Sequence, residues 1–185
     1  MDQKTEAEIV VRILKGEKQT YALFIEEYKN PIYNLAYRMT NNLHDAEDLA
    51  QETFIRAYQN LARYDRNKKF FTWLYTISIN LIRNHLKKNS TPIEPLTEMN
   101  ISSASRTQEN KTTEENTSAE EKMIQLEKSL LKLPVDLREA IVLKYYQGLT
   151  FEEVSAVTGD SQSAVKMRVY RGLEKLKKLL EFDKM

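Results

Sequence analysis

Apolar side chains recur every three or four residues along most of this chain, the spacing of amphipathic helices. The clearest run is Ala46, Leu49, Ala50, Thr53, Phe54 and Ala57, which predicts a helix with one inward stripe and leaves Glu47, Asp48, Gln51, Glu52 and Ile55 pointing outward. Upstream, residues 5–15 read as a helix with Ile9, Ile13 and Leu14 inside and Gly16 as its left-handed stop. Thr20 to Tyr28 carries Phe24 and Tyr28 four positions apart. Asn30-Pro31 then reads as a cap followed by proline at a first helical position, opening another helix through Ile32, Leu35, Ala36 and Met39. Downstream, Ala62 to Phe70 lacks helical periodicity and is a loop. Beyond it Trp73, Ile77 and Leu81, with Leu74 beside them, predict a core row, while Asn80, Arg83, Asn84, Lys87 and Lys88 line the other side.

The pattern lapses from Asn89 to about Ser118, where Ser, Thr, Asn, Glu and Gln dominate and Ile93, Leu96, Met99 and Ile101 are the few apolar points. Such a segment buries too little apolar surface to offset the entropy of ordering, so it reads as a flexible linker. Periodicity returns at Ala119 with Ile124, Leu126, Leu130, Leu131 and Leu133. Pro134 starts a second helix with Leu137, Ala140, Ile141, Leu143 and Tyr145 inside, ending at Gly148. Thr150-Phe151-Glu152-Glu153 has the form of a capping box, opening a short helix with Val154 and Val157 inside that stops at Thr158-Gly159. Asp160 is placed to cap a last helix from Ser161 to about Leu180. The expected fold is therefore all-α: two small helical domains, residues 1–88 and 119–185, joined by the linker 89–118.

Composition narrows the chemistry. The 185 residues carry a formal charge of only +1, but that figure hides a division. Residues 1–88 have fourteen Lys and Arg against eleven Asp and Glu, residues 89–121 two against seven, and residues 122–185 twelve against nine. Two basic modules are thus joined by an acidic tether. The chain has no Cys, which excludes disulfides and thiol chemistry and suits a reducing interior. No long apolar run or signal-peptide pattern is present, so a cytoplasmic protein without membrane insertion is expected. The four glycines are isolated, so there is no phosphate loop, and two histidines, His44 and His85, are too far apart for a metal site or a general base. The chain reads as a non-enzyme with no cofactor, no metal and no catalytic residue.

Three surfaces remain. Asp45, Asp48, Gln51 and Glu52 lie at or near a helix start, where acids suit the backbone dipole; Asp45 reads as a cap, and the others equally as a docking face for a basic partner. The loop and the helix after it are basic and aromatic, which suits opened nucleic acid, although Trp73 also reads as a packed anchor and the loop as a solvated turn. In the C-terminal module a short capped helix, a glycine turn and a longer basic helix make the pattern of a helix-turn-helix. On the last helix Val165, Val169, Gly172 and Leu176 share one side. Ser163, Lys166, Met167, Tyr170 and Arg171 share the opposite one, among six bases that also include Arg168, Lys175, Lys177 and Lys178. That charge can neutralise phosphate and leave side chains for the major groove, or it can be an ordinary solvated face.

Taken in order, Asp45-Ala46-Glu47-Asp48-Leu49-Ala50-Gln51-Glu52-Thr53-Phe54, Phe71-Thr72-Trp73-Leu74-Tyr75 with Asn80, Leu133-Pro134, Leu149 to Val154 and Val165 to Arg171 resemble bacterial sigma factors of the extracytoplasmic-function (ECF) group in the sigma-70 family. These retain two helical domains, regions two and four, and the resemblance spans nearly the whole chain outside the linker. It implies an alternative sigma factor that binds core RNA polymerase and directs promoter-specific initiation, with stress response as the usual setting. It also implies docking of Asp48, Gln51 and Glu52 on the basic coiled coil of the largest polymerase subunit. Minus-ten DNA would be captured and melted by Tyr64, Arg66, Lys68, Lys69 and Phe70 of the loop with Asn80, Arg83, Asn84 and Lys87, and the minus-thirty-five duplex read by Ser163, Lys166, Met167, Tyr170 and Arg171. An anti-sigma factor, membrane-bound or soluble, is the further partner the family suggests, and the linker is expected along the polymerase interior. Ser161 stands where many relatives have proline, Leu173 where many have arginine, and Met167 where a small polar residue is common. The rival reading is a free-standing helix-turn-helix regulator whose N-terminal unit only dimerises or senses.

Overall fold

The computed structural model describes residues 1–89 and 114–182, and every regular element among them is helical. The expected flexibility of the linker, and its apolar points Ile93, Leu96, Met99 and Ile101, lie outside the described residues. In the N-terminal half α1 (Gln3–Leu14), α2 (Ala22–Thr40), α3 (Leu43–Gln59) and α4 (Phe70–Asn89) surround one core. In the C-terminal half α5 (Glu114–Leu131), α6 (Val135–Ile141), α7 (Phe151–Thr158) and α8 (Gln162–Phe182) pack around apolar residues that continue the same buried cluster. Helix α5 begins five residues before the expected Ala119.

Several expected boundaries move, each for a visible reason. Asn30-Pro31 does not separate two helices: α2 runs through Pro31 without interruption. Phe24, Tyr28, Ile32, Leu35, Ala36 and Met39 form one unbroken buried stripe along it, and burying that row outweighs the one backbone hydrogen bond proline cannot make. Pro31→Ala, which restores a donor to the Glu27 carbonyl, is expected to stabilise the protein by about 1–2 kcal/mol, read as a higher thermal midpoint. On α1 the inward residues are Glu6, Ile9, Val10 and Ile13, whereas Leu14 is exposed. The cap of α3 is Asn42, whose Oδ1 accepts from the Asp45 backbone N–H at 3.2 Å, so the helix starts earlier than an Asp45 cap would allow. Asp45 instead lies 3.2 Å from Nε2 of His85 on α4.

The core row of α4 is also rotated from expectation. Phe70, Leu74, Tyr75, Ser78, Ile79, Leu81 and Ile82 are buried, and Trp73 and Ile77 sit at the margin of the core. The rotation follows from α4 being covered on two sides, by α2 and α3 on one and by α7 on the other. Beyond α6 the backbone widens into a π-helical turn over Val142–Tyr146, with the Gln147 N–H reaching the Val142 carbonyl at 3.0 Å. The extra residue in that turn shifts the inward face by one position. Tyr146 packs on the core and takes the Arg38 guanidinium over its ring at 4.3 Å, while Tyr145, expected inside, is exposed. Gly172 is where α8 crosses α6: a Cβ there would meet Cδ1 of buried Ile141 at 2.7 Å, so any larger residue would force that side chain to shift.

The halves touch. Tyr75 of α4 donates to the Gln147 side chain at 2.8 Å, and Arg138 of α6 donates to the Met39 carbonyl of α2 at 2.5 Å. No described helix is long and apolar enough to cross a membrane.

Candidate functional site

The acid face of α3 is built as the period requires. Ala46, Leu49, Ala50, Thr53, Phe54 and Ala57 are all buried, and this fixes Asp48 and Gln51 on the outside, with Glu52 half-exposed and Ile55 exposed beside them. Glu52 is bridged to Arg56 one turn on at 2.6 Å, and the Asp48 carboxylate lies 3.9 Å from exposed His44. Neither acid supports the core. Leu43, Ile55 and Tyr58 add exposed apolar surface to the same helix, so it presents the mixture of charge and grease that a protein partner covers.

The loop before α4 is less open than its sequence suggests. A single 3₁₀ turn, Leu61–Arg63, leads into it, and Arg66, Lys68 and Lys69 are exposed. Tyr64 and Phe70 are not: Phe70 is 0% exposed and stacks on Phe24 with centroids 3.7 Å apart and planes at 9°, while Tyr64 meets Phe70 edge-on at 5.5 Å and Trp73 at 5.2 Å. The Tyr64 hydroxyl donates to the Lys68 carbonyl, and burial pushes its pKa up to about 12. These two rings hold the loop from beneath instead of offering a stacking platform, because both are packed into an aromatic cluster with Phe24, Tyr28 and Trp73.

Along α4, Asn80, Asn84 and Lys87 are exposed, but Arg83 is engaged. Its Nε and Nη2 donate to Oε2 and Oε1 of Glu139 on α6, at 2.8 and 2.6 Å. The hydrogen bonds to Glu139 hold the Arg83 pKa above its usual value, whereas burial pushes the Glu139 carboxyl up more than Arg83 pulls it down. Lys69 is similarly held by Glu153 of α7, at 2.9 Å, and the hydrogen bond raises its pKa. Burial pushes the Glu153 carboxyl up, but hydrogen bonds from Lys69 and Thr150 outweigh that and leave it below the ordinary range. Among the described residues, Arg83 and Lys69 of the nine expected at opened DNA are therefore paired with carboxylates from the C-terminal half.

The helix-turn-helix forms as its sequence implies. The Thr150 hydroxyl accepts from the Glu153 N–H at 3.1 Å while the Glu153 carboxylate accepts from the Thr150 N–H at 2.9 Å, a complete capping box. Gly159, at φ +78°, closes α7. The cap of α8 is Ser161, whose Oγ accepts from the Ala164 N–H at 3.2 Å; Asp160, expected in that role, instead grips the Arg168 guanidinium with both oxygens. Val165, Val169, Gly172 and Leu176 are buried. Ser163, Lys166, Met167, Tyr170 and Arg171 are all exposed, Tyr170 at 62%, so the five expected readers share one free face. Leu173 is half-buried on the core, which is what an apolar residue at that position does in place of reaching phosphate.

Sequence reasoning gave no sign of the buried charges Glu6, Arg138 and Glu139. No three His, Asp or Glu among the described residues converge to hold a metal ion.

A helical module with an outward acid face is followed by a helix-turn-helix with an outward basic face, the build of a DNA-binding transcription protein, and comparison with known proteins narrows this to transcription initiation. Residues 24–91 match the Sigma-70 region 2 family and residues 123–176 the Sigma-70, region 4 family. The ECF RNA polymerase sigma factor SigW of Bacillus subtilis is 37% identical over 92% of this chain and 94% of its own. The structure of CnrH in complex with the cytosolic domain of CnrY matches with a TM-score of 0.73 and 23% identity over 98% of this chain and 99% of that one. The sigma factor RpoE in complex with the anti-sigma factor NepR, from Bartonella quintana, matches with a TM-score of 0.66 and 23% identity over 88% and 98%. The chain belongs to the ECF group of sigma-70 family sigma factors.

Proposed function

We propose that this sigma factor, which directs promoter-specific transcription initiation, divides the work among three surfaces. Asp48, Gln51 and Glu52 on α3 dock on the basic coiled coil of the largest subunit of core RNA polymerase. Arg66, Lys68 and Lys69 of the loop, with Asn80, Arg83, Asn84 and Lys87 of α4, take the opened strand of the minus-ten element, Tyr64 and Phe70 shaping the loop from inside. Ser163, Lys166, Met167, Tyr170 and Arg171 on α8 read the minus-thirty-five duplex. Residues 1–88 and 119–185 act as separate units spanned by 89–118, so both promoter elements are held at once. It works in the cytoplasm without covalent chemistry, and an anti-sigma factor is its proposed inhibitory partner, as NepR is found with the similar RpoE.

The observation that carries this reading is that all five α8 side chains face outward while the opposite side of the helix is sealed in the core. Run-off transcription with purified core polymerase across a promoter library tests it: the chain should confer initiation at one promoter class. Arg171→Ala should cost about 1–3 kcal/mol of promoter affinity, the range of a bidentate base contact, and relax preference at one minus-thirty-five position. Undiminished, equally selective transcription by that variant would remove α8 as the reader.

A further inference from the structure

We infer that Glu6, on α1, is a positioning residue for the base-capturing loop, and that α1 forms the second wall of the cleft into which the captured base fits. This rests on the reading of residues 64–69 as that loop. Glu6 is 2% exposed, a carboxylate inside the N-terminal core with no Lys or Arg bridged to it among the described residues. Its Oε2 accepts from the backbone N–H of Phe70 at 2.9 Å and its Oε1 from the Tyr28 hydroxyl at 2.5 Å. Phe70 opens α4, and the residues before it, Lys68 and Lys69, carry no acceptor that could cap a helix. The cap comes from sixty-four residues away, and the partial positive charge of the helix start is what makes a buried anion tolerable.

A second tether repeats the arrangement. The Gln3 side chain donates to the Asn67 carbonyl at 2.8 Å, so two residues of α1, one turn apart, hold the loop at its middle and at its exit. Beside these tethers α1 and the loop line an open cleft of about 840 Å³, with Lys4, Glu8 and Arg12 on one wall and Tyr64, Asp65 and Arg66 on the other, large enough for an extrahelical nucleotide. Arg12 is tied to Glu17 at 2.8 Å, while Lys4 and Arg66, one on each wall, form no ion pair among the described residues, although Glu8 and Asp65 line the same cleft. A base entering there would have its phosphate between two cations and its ring against a loop whose shape is fixed by Glu6. Base selection depends on that fixed shape, because a hydrogen bond to a base weakens steeply once its donor and acceptor leave their narrow range of distance and angle.

The test is open-complex selection from a promoter library randomised through the minus-ten region, using holoenzyme assembled from full-length chain and core polymerase. Glu6→Ala and Gln3→Ala are expected to flatten preference at a single minus-ten position, by about tenfold and about threefold, with minus-thirty-five preference and core binding unchanged. Glu6→Gln, which keeps one acceptor oxygen, should lie between wild type and Glu6→Ala. A merely structural role would lower transcription evenly and leave every preference intact, and that result overturns the proposal. Should Glu6→Ala fail to fold, Gln3→Ala and Glu6→Gln decide by the same criterion. Arg66→Ala with Lys68→Ala separates this from the parent reading: if it also leaves the minus-ten preference intact, the loop is not the base reader at all. If it alters the preference while the α1 variants do not, only the role of α1 fails.

Discussion

Asp48→Arg combined with Glu52→Arg is expected to abolish binding to core RNA polymerase and leave the fold unchanged. The fold should survive because neither carboxylate is built into it. The Asp48 side chain is 65% exposed, and the Glu52–Arg56 bridge is a solvent-exposed pair one helical turn apart, worth about 0.3–0.5 kcal/mol. Binding should not survive, because each substitution replaces an attraction with a repulsion against the same basic partner. Close charge pairs across protein interfaces couple by roughly 1.5–7 kcal/mol, so reversing two is expected to cost about 3–6 kcal/mol, or some hundredfold to ten-thousandfold in affinity. Titration of labelled chain against core polymerase measures the loss, and circular dichroism checks the helices. Asp48→Asn with Glu52→Gln should fall between wild type and the reversal, and raising the salt should weaken the wild type more than either variant. Equal affinity across all three would leave α3 without a docking role.

What could be read in advance divides along a physical line. The α3 stripe, the Thr150 capping box, the Gly159 stop and both faces of α8 were legible because each depends on residues within a turn or two of one another. Helix period and cap chemistry are local rules, and local sequence carries them. The errors share the opposite property. Pro31 looked like a start because its own preference is to begin helices, but the stripe from Phe24 to Met39 overrode it. Trp73 does pack on the core, but at its margin, since α4 is covered on more than one side, and Tyr145 faces outward because a π turn changes the phase of the pattern.

The candidate site follows the same division. Exposure of Asp48, Gln51, Met167 and Tyr170 is a consequence of their own helices and was foreseen. The burial of Tyr64 and Phe70 comes from α1 and α2, and the engagement of Arg83 and Lys69 from α6 and α7, none of them adjacent in sequence. Glu6, Arg138 and Glu139 are the sharpest cases, since a charged residue on a helix gives no sign that a partner dozens of residues away will bury it. A polar residue interrupting the inward stripe of α1, at Glu6 before Ile9 and Val10, is the one signal that was present.

Glu139→Ala is expected to tighten the binding of single-stranded minus-ten DNA by the free sigma factor, although Glu139 lies in the other half of the chain and belongs to no DNA-facing surface. Arg83 cannot donate both nitrogens to Glu139 and also meet a phosphate, so in the arrangement seen here the two uses compete. Glu139 is 1% exposed, and the upward push of burial on its carboxyl means that the pair does not fully offset the cost of enclosing the charge. Breaking a fully buried pair by truncating one partner costs about 3–5 kcal/mol, but the Arg83 side chain is 35% exposed and can turn to water, which lowers the figure to about 1–3 kcal/mol. The pair joins α4 to α6, so the loss falls first on the contact between the two halves. Released from the competition, Arg83 should improve single-strand affinity by up to the same 1–3 kcal/mol, about fivefold to a hundredfold. Fluorescence polarisation with an oligonucleotide carrying the selected minus-ten sequence reads the gain. Arg83→Ala should show a loss instead, and adding Glu139→Ala to Arg83→Ala should restore nothing, because the residue that Glu139 restrains is then absent. A single-strand affinity that falls or stays constant in Glu139→Ala would mean that Arg83 serves the contact between the halves and not the DNA.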